Sequence, residues 1–424
     1  MLPGAFLILN VKEAVMDQHR LFVGIDISKF KHDVAVIDEE QHCITPGFVV
    51  GENAEGYRML FERLDNVRRS SKAEDLFIGM EATGSYWKNL YHFLHRKTSW
   101  HVTVINPIQT RRFSQSRLRR AVTDPVDALE IACYMQERKP APTALPAPSL
   151  QIIQDIDKQI LSLVKERNAD IYRLRLELGK TFPELEKQAP LMTSQRLLAL
   201  LSLYPTAEVI RNTSPEELQQ LTADKKGRRI SAAFITGIRK LAENSIASST
   251  GPDSGIVVQT LAVRITEIQT HICRLKKELL RVWCCHTAQP GILMTIPGIG
   301  PLTAALLEAY IGDVNRFPEY KRIVAYFGLD PRVCTSGISK RGHGNLQKKG
   351  NPRMRSILFM NVLAMIRFRV EPIYGFYQCK VAEGKPKLVA IGAAMRKLLV
   401  IIYTMMKKNE PFQPKDIKND VKEQ

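Results

Sequence analysis

No Cys-x-x-Cys pair occurs in the 424 residues of this chain. Its seven cysteines (Cys43, Cys133, Cys273, Cys284, Cys285, Cys334, Cys379) are odd in number and scattered. That argues against a disulfide framework or a zinc site and fits a reducing cytoplasm. No stretch reads as approaching the ~20 apolar residues of a membrane span. The opening MLPGAFLILN lacks the basic leader and small-residue cleavage pattern of a signal peptide. Met16 stands just ahead of the first strong apolar run, so residues 1–20 read as an N-terminal extension that carries no argument. Acidic charge is in short supply as well. Only 43 Asp and Glu face 61 Lys and Arg, leaving a net charge of +18. Such an excess favours a polyanionic partner, because each neutralised phosphate releases condensed counterions. A basic surface serving solubility alone is the bland alternative, and the clustering of the cations weighs against it.

What is present has the composition of a globular chain, 45% hydrophobic and 25% charged, long enough for two or three domains. From Leu21, the runs LFVGIDI, HDVAVID and ITPGFVV predict three neighbouring strands. The helix AEGYRMLFERL, the strand DLFIGMEA, the helix SYWKNLYHFLHRK and the strand HVTVINP follow. A basic helix, IQTRRFSQSRLRRA, and TDPVDALEIACYM complete the block. Three strands in a meander followed by alternating helix and strand is the element order of a ribonuclease-H-like (RuvC-like) α/β domain, placed at 21–145. PAPTALPAPS reads as an extended linker. Two long amphipathic helices, from LQIIQDIDKQ and over roughly 257–283, flank a smaller helical insert. They predict a helical or coiled-coil domain at 150–288, an antiparallel hairpin or an ordinary bundle core. A third, mainly helical domain is expected at 289–408, with a frayed tail at 409–424. The expected fold class is therefore α/β followed by α.

Four groups of residues carry chemistry. Asp26 lies within an apolar strand, where an unpartnered charge is costly, and Glu81 ends the strand FIGME. Asp124 and Asp127 are three apart at the start of a helix whose first turn holds Pro125, so they project from nearly one face. Adjacent first and fourth strands would bring Asp26 and Glu81 together, with the Asp124–Asp127 helix across their ends. Four such acids repel unless hard cations neutralise them. Magnesium is the expected ion, with manganese as its substitute. Taken singly, each acid is as well explained by a cap or a surface charge. The second group is basic: Arg111, Arg112, Arg117, Arg119 and Arg120 immediately precede Asp124 and are placed on a nucleic-acid backbone rather than on a merely solvated face. The third is IPGIGPLTA. Its Gly298 and Gly300 resemble a helix-hairpin-helix turn able to hold a phosphate by backbone N–H groups, or else a plain Gly-Pro turn. The fourth runs from Lys321 to Met360, with nine Lys or Arg against the single acid Asp330. Lys340, Arg341, Lys348, Lys349 and Arg353 are its expected nucleic-acid contacts. Ser336, beside Gly337, could approach a phosphate in this basic setting. Ser339 stands as an alternative, and most Ser-Gly pairs are simple turns.

At these residues the chain resembles a known family. GIDISK, MEATGSYW, NP with the following TDPVDA, IPGIGPLTA, YFGLDPR, TSG and KKGNPRMRSILFM, in that order, are similar to the DEDD transposases of the insertion-sequence one-ten family, particularly its eleven-eleven branch, over roughly 21–405. The resemblance implies a RuvC-like catalytic domain, a coiled-coil middle and a C-terminal transposase domain. It implies that Asp26, Glu81, Asp124 and Asp127 are the metal ligands and that Ser336 forms a transient phosphoseryl bond to DNA. It also implies donor and target DNA chosen by a structured guide RNA, and dimers that pair into tetramers. The action would be cytoplasmic, on the nucleoid, with no membrane partner. A RuvC-like, structure-selective endonuclease using water is the alternative, and the C-terminal block weighs against it. A sugar kinase or actin-like ATPase would need further Gly-rich nucleotide loops, and none fits. A non-enzymatic nucleic-acid binder would not need the acids.

Overall fold

In the computed structural model the described residues are 19–82, 84–116, 124–144, 146–185, 192–220, 231–286, 291–330 and 350–413, with backbone alone for 124–126 and 252. The chain divides into two compact units, Met1–Leu145 and Pro146–Gln424.

In the first unit, β1 (Arg20–Ile27), β2 (Lys31–Ile37) and β3 (Cys43–Gly51) form an antiparallel meander. After α1 (Ala54–Ser70), β4 (Asp75–Glu81) returns parallel to β1. After α2 (Trp87–Lys97), β5 (His101–Ile105) runs parallel to β4. The order is β3-β2-β1-β4-β5, a mixed sheet compatible with a RuvC-like domain. β1 and β2 are buried almost throughout, as expected of strands covered on both faces; β3 at the edge is largely exposed. On one face Leu60 and Leu64 of α1 and Leu90 and Leu94 of α2 pack on Val23, Ile25 and Ile78. On the other lie α3 (Pro107–Ser116) and α4 (Asp124–Arg138). There Phe113, Ile131, Ala132 and Met135 meet Phe22 and Ile37.

Two glycines set the depth of that second layer. Gly24 and Gly79 are partners in the β1–β4 register. A Cβ on Gly24 would stand 1.9 Å from the Ala128 carbonyl oxygen, and one on Gly79 2.5 Å from Met135 Cγ. The helix therefore lies directly on a bare strip of backbone, closer than any side chain would permit. On the opposite face a polar knot closes the sheet beside α1. The buried His32 Nε2 is 2.5 Å from Glu52 Oε2, Tyr57 Oη donates to the same oxygen at 2.6 Å, and Asn89 Nδ2 donates to Glu52 Oε1 at 3.1 Å.

In the second unit, α5 (Pro148–Thr181) and α10 (Ile256–His286) form a long pair. Between them come α6 (Gln195–Leu203), α7 (Ala207–Asn212), α8 (Pro215–Gln219) and α9 (Ala232–Glu243). Leu174 and Leu178 share one core with Val258 and Ile265, whereas Ile153 and Ile160 share another with Ile272 and Trp283. The two helices are thus antiparallel and run through both cores. Between those cores the buried Asp170 of α5 meets Arg264 Nε of α10 at 3.0 Å and Arg173 Nη1 at 2.9 Å. The second core is completed by α11 (Pro301–Ile311), α12 (Tyr320–Tyr326), α13 (Pro352–Arg367), α14 (Ile373–Ala382) and α15 (Lys387–Lys408). By length and composition α15 could cross a membrane, which corrects the expectation that no stretch approaches that length. Half of its most apolar window is buried in the unit, and Ala394, Leu398 and Ile402 belong to the core, so α15 is accounted for as a core helix.

Gly24→Ala is expected to lower stability by about 1–3 kcal/mol or more through overpacking. Gly47→Ala, whose added Cβ first meets a backbone oxygen at 3.6 Å, is expected to change it by less than about 0.5 kcal/mol. Urea midpoints of the two variants check this. Burial pushes the Glu52 carboxyl up, but hydrogen bonds from Tyr57, Asn89 and His32 outweigh it and hold its pKa below the ordinary carboxylate value. A depressed pKa contributes stability above the unfolded carboxylate value, lost as pH falls through the folded one. Glu52→Gln is therefore expected to be less stable than wild type at neutral pH. The gap should close in acid, as read from midpoints on both sides of the carboxylate range.

Candidate active site

Asp26 follows Ile25 at the end of β1, and Ile25 is the register partner of Met80, the residue before Glu81. Continuing the parallel register places Asp26 beside Glu81, at the C-terminal ends of adjacent strands. Directly paired residues share a face, and alternate residues repeat it. Asp26 lies two on from Gly24 and Glu81 two on from Gly79, so both acids stand on the face that α4 covers. Both are partly buried. Thr110 Oγ1 of α3 donates to Glu81 Oε2 at 2.9 Å and orients that carboxylate.

The direction of α4 follows from its other end. Gln136 Nε2 donates to the Glu39 carbonyl at 2.7 Å, and Gln41 Nε2 donates to Gln136 Oε1 and Glu137 Oε1. Those contacts lie at the β2–β3 turn, beyond Ile37, which pairs with Phe22 at the start of β1. The N-terminal turn of α4 therefore lies toward the opposite end of the sheet, where β1 finishes at Asp26. Asp124, described by its backbone, is the first residue of α4, and Asp127 is partly buried one turn on. Three of the four predicted acids are thus described with their side chains, and the fold brings all four positions to one end of the sheet. The positive end of the α4 dipole points the same way and favours negative charge there.

A fifth acid belongs to this face and was missed by sequence reasoning. Asp33 of β2 is the register partner of Asp26 and is only 5% exposed. Its position inside the apolar run DVAVI was the available signal, the same one that marks Asp26. The donors on this face are carboxylate oxygens, a set that suits a hard divalent cation. A different cluster among the described residues has ligand atoms close enough to share an ion: Asp38, Glu40 and His42. It lies in the β2–β3 turn, at the far end of β2, where Asp38 Oδ1 accepts from the Glu40 and His42 backbone N–H groups. Those bonds explain the cluster as a turn.

Of the predicted nucleic-acid residues, Arg111 and Arg112 are exposed on α3. Gly298 has φ +93° and Gly300 is the N-cap of α11, with nothing within 4 Å of an added Cβ. Among the described residues a short 3-10 helix, Ile292–Thr295, lies just ahead of them and α11 follows. Arg117, Arg119, Arg120, Ser336, Ser339, Lys340, Arg341, Lys348 and Lys349 lie outside the described residues. Arg353 requires a correction. It was expected on a nucleic-acid surface, but its Nε and Nη2 donate to the two oxygens of Asp157, each at 2.7 Å. Asp157 is 1% exposed, and Tyr310 Oη donates to it at 2.8 Å. Burial and the Asp157 charge push the Tyr310 phenol up, keeping it a neutral donor. The guanidinium fork is occupied in holding α13 to α5.

The chain is similar to known proteins over most of its length. The family described as DEDD_Tnp_IS110, transposase, matches residues 23–183, a range that takes in Asp26, Asp33, Glu81, Asp124 and Asp127. The family described as Transposase IS116/IS110/IS902 matches residues 291–378. A pilin gene-inverting protein of Moraxella lacunata is 26% identical over 400 residues, 93% of this chain and 98% of its own. An uncharacterized protein of insertion element IS110 from Streptomyces coelicolor is 25% identical over 315 residues, 72% of this chain and 76% of its own. The transposase of insertion sequence element IS1111A from Coxiella burnetii is 35% identical over 75 residues, 18% of this chain and 20% of its own. The enzyme class is therefore a DNA transposase or recombinase. Within it, the chain belongs to the IS110 family of DEDD transposases.

Arg353→Met is expected to cost about 3–5 kcal/mol, because it strands the buried Asp157 charge. The double change with Asp157→Leu should recover much of that loss in chemical denaturation. A loss for Arg353→Met under about 0.5 kcal/mol, the range of ordinary surface changes, would return Arg353 to the nucleic-acid surface.

Proposed function

We propose that the protein cuts and rejoins the DNA strands of an insertion sequence, using metal held by Asp26, Glu81, Asp124 and Asp127 and a serine nucleophile, Ser336. The observation that carries this reading is the gathering of the four acid positions at one end of the sheet, in a chain whose two ends match the family in order. Relatives named for inverting a pilin gene favour an enzyme that rejoins what it cuts, since an inverted segment must be religated.

Bound magnesium, or manganese, would polarise the scissile phosphate and offset the charge that builds on it. Ser336 Oγ attacks phosphorus, the bond to the 3′ oxygen breaks, and the serine proton is given up as the 3′ hydroxyl forms. The phosphoseryl ester conserves the bond energy, so attack by a 3′ hydroxyl rejoins strands without ATP. Water in place of Ser336 would lose it. Arg111, Arg112, Arg117, Arg119 and Arg120 grip the DNA or RNA backbone, and Lys340, Arg341, Lys348 and Lys349 do the same around the serine. Gly298 and Gly300 present backbone N–H groups at the start of α11 to a phosphate. A structured RNA encoded by the element selects donor and target, and the active assembly is a dimer or tetramer of the chain. The first unit is the RuvC-like catalytic domain; 150–288 and 289–408 are the helical and transposase domains.

With the element's DNA ends, its flanking non-coding RNA and Mg²⁺, the wild-type protein is expected to form a denaturant-resistant protein–DNA adduct. Ser336→Ala should form none, and Ser339→Ala should retain it. Asp26→Asn and Glu81→Gln should lower cleavage by roughly 10²-fold or more with DNA binding retained, and chelation should do the same. Cleavage without any adduct in the wild type would favour the water-using endonuclease instead.

A further inference from the structure

We propose that the groove between α1 and α2 holds an unpaired nucleotide of single-stranded nucleic acid, on the face of the sheet away from the acids. The inference goes beyond the cutting centre and needs neither the metal nor the serine. It draws only on the chain's place among DNA transposases.

The groove is open, about 560 Å³, and lined by Tyr57, Asn89, His92, Phe93, Arg96 and Lys97. That volume falls within the ~300–1,000 Å³ of ligand sites. Its chemistry comes in two halves. Tyr57 and Phe93, with ring centroids 5.3 Å apart and planes tilted by 49°, give an aromatic wall. The Tyr57 hydroxyl and the Asn89 amide both donate to Glu52, which fixes the wall and satisfies that carboxylate inside the knot. The other half is cationic. Arg96 and Lys97 are exposed in the last turn of α2, with His92 one turn back. On the α1 side the cations are neutralised: Arg58 meets Glu55 at 2.5 Å, and Arg68 and Arg69 meet Asp65 at 3.0 and 2.7 Å. Among the described residues no carboxylate plays that part for His92, Arg96 or Lys97. Cations in a last helical turn suit the helix dipole, but the dipole does not account for the aromatic wall beside them. A base on that wall, with its phosphate among the cations, uses both halves, as in the recognition of single strands by stacking and charge. A duplex keeps its bases stacked on one another and offers the groove phosphates alone. DNA and RNA single strands share this chemistry, and the test separates them.

The test uses the full-length protein in EDTA, with labelled oligothymidylate and oligouridylate of about 20 nucleotides, longer than a single stacking site, and a DNA duplex of the same length. Binding is read by fluorescence anisotropy over a range of salt. Arg96→Gln with Lys97→Gln is expected to lower the log–log salt slope for a single strand by about 1.4, roughly 0.7 for each phosphate contact. Phe93→Leu keeps the apolar bulk and should weaken that strand about 5-fold or more at unchanged slope. It should leave duplex binding at the wild-type level, and Phe93→Tyr should bind as wild type. The strand that shows both effects, DNA, RNA or each alike, is the source of the nucleotide. Arg58→Gln with Arg69→Gln removes the same charge from α1 and should leave the slope unchanged. An equal fall in slope in the α1 and α2 variants overturns the proposal in favour of general surface charge, as does single-strand binding unmoved by Phe93→Leu. Where Phe93→Leu proves unstable, wild-type protein decides: strands carrying 4-thiothymidine or 4-thiouridine should photo-cross-link to the peptide that contains Phe93. Cross-links confined to other peptides overturn the proposal and leave the cutting centre untouched.

Discussion

The contact between the backbone of α4 and the bare Gly24–Gly79 strip governs the rest of the first unit. A helix normally rides above a sheet on a layer of side chains, about 10 Å away. Here the Ala128 carbonyl lies so close to Gly24 that even a methyl group would overlap it. Ile131, Ala132 and Met135 then wedge against Phe22 and Ile37 and hold the helix at that depth. The consequence is positional. With the C-terminal end of α4 pinned to the β2–β3 turn by Gln136 and Glu137, its first turn lies toward the end of β1. Acids at strand ends escape the helix, while residues farther back lie beneath it. Asp26 and Glu81 sit two residues past the glycines for this reason.

Gathering acids works against folding, and the opposite face of the same sheet supplies what offsets it. Val23, Ile25, Val34, Ile78 and Met80 are fully or almost fully buried under α1 and α2. The antiparallel and parallel ladders on either side of β1 fix the separations of Asp33, Asp26 and Glu81 whatever their charge. The acidic face therefore does not need to be internally stable. It is held by a core it does not share, a common arrangement where a site must present charge to a ligand.

Some of this was legible in the residues alone, and the exceptions have physical causes. Period-2 and period-3.6 patterns located the five strands and the two long helices to within a few residues, because each buries a continuous apolar stripe. Asp26 and Glu81 stood out as charges at the ends of such stripes. Asp33 obeys the same rule but follows Lys31 and His32, so its segment opens like a polar strand end; only the register across β1 reveals its neighbour. Arg353 misled in the other direction. In sequence it is one cation in a basic stretch, and its partner Asp157 is 196 positions away. Charge counting has no access to such a pairing. Membrane-length apolarity in α15 was likewise concealed, by the Arg396–Lys397 pair that interrupts its apolar run, and its packing in the core accounts for it.

Gly350, just ahead of α13, is packed with unusual closeness in the second unit. A Cβ on Gly350 would lie 2.3 Å from the Phe327 carbonyl carbon and the Tyr326 oxygen. Arg355 Nη1 donates to both the Phe327 and Gly350 carbonyls, at 3.2 and 2.7 Å. Asn351 caps α13 through the Arg353 N–H at 2.8 Å, and Arg353 fastens the same turn to Asp157. A buried ion pair is poor evidence for stability, since apolar residues of equal volume often serve as well. Its geometry is more demanding than that of an apolar contact, because the bidentate fork accepts one orientation. A second ion pair, the single contact from the half-exposed Arg264 to the buried Asp170, starts from α5 as the Asp157–Arg353 fork does. The long helix therefore acts as a spine from which the register of α10 and the first turn of α13 are both set. Gly350 and the first turn of α13 are thereby held at a defined place in the unit.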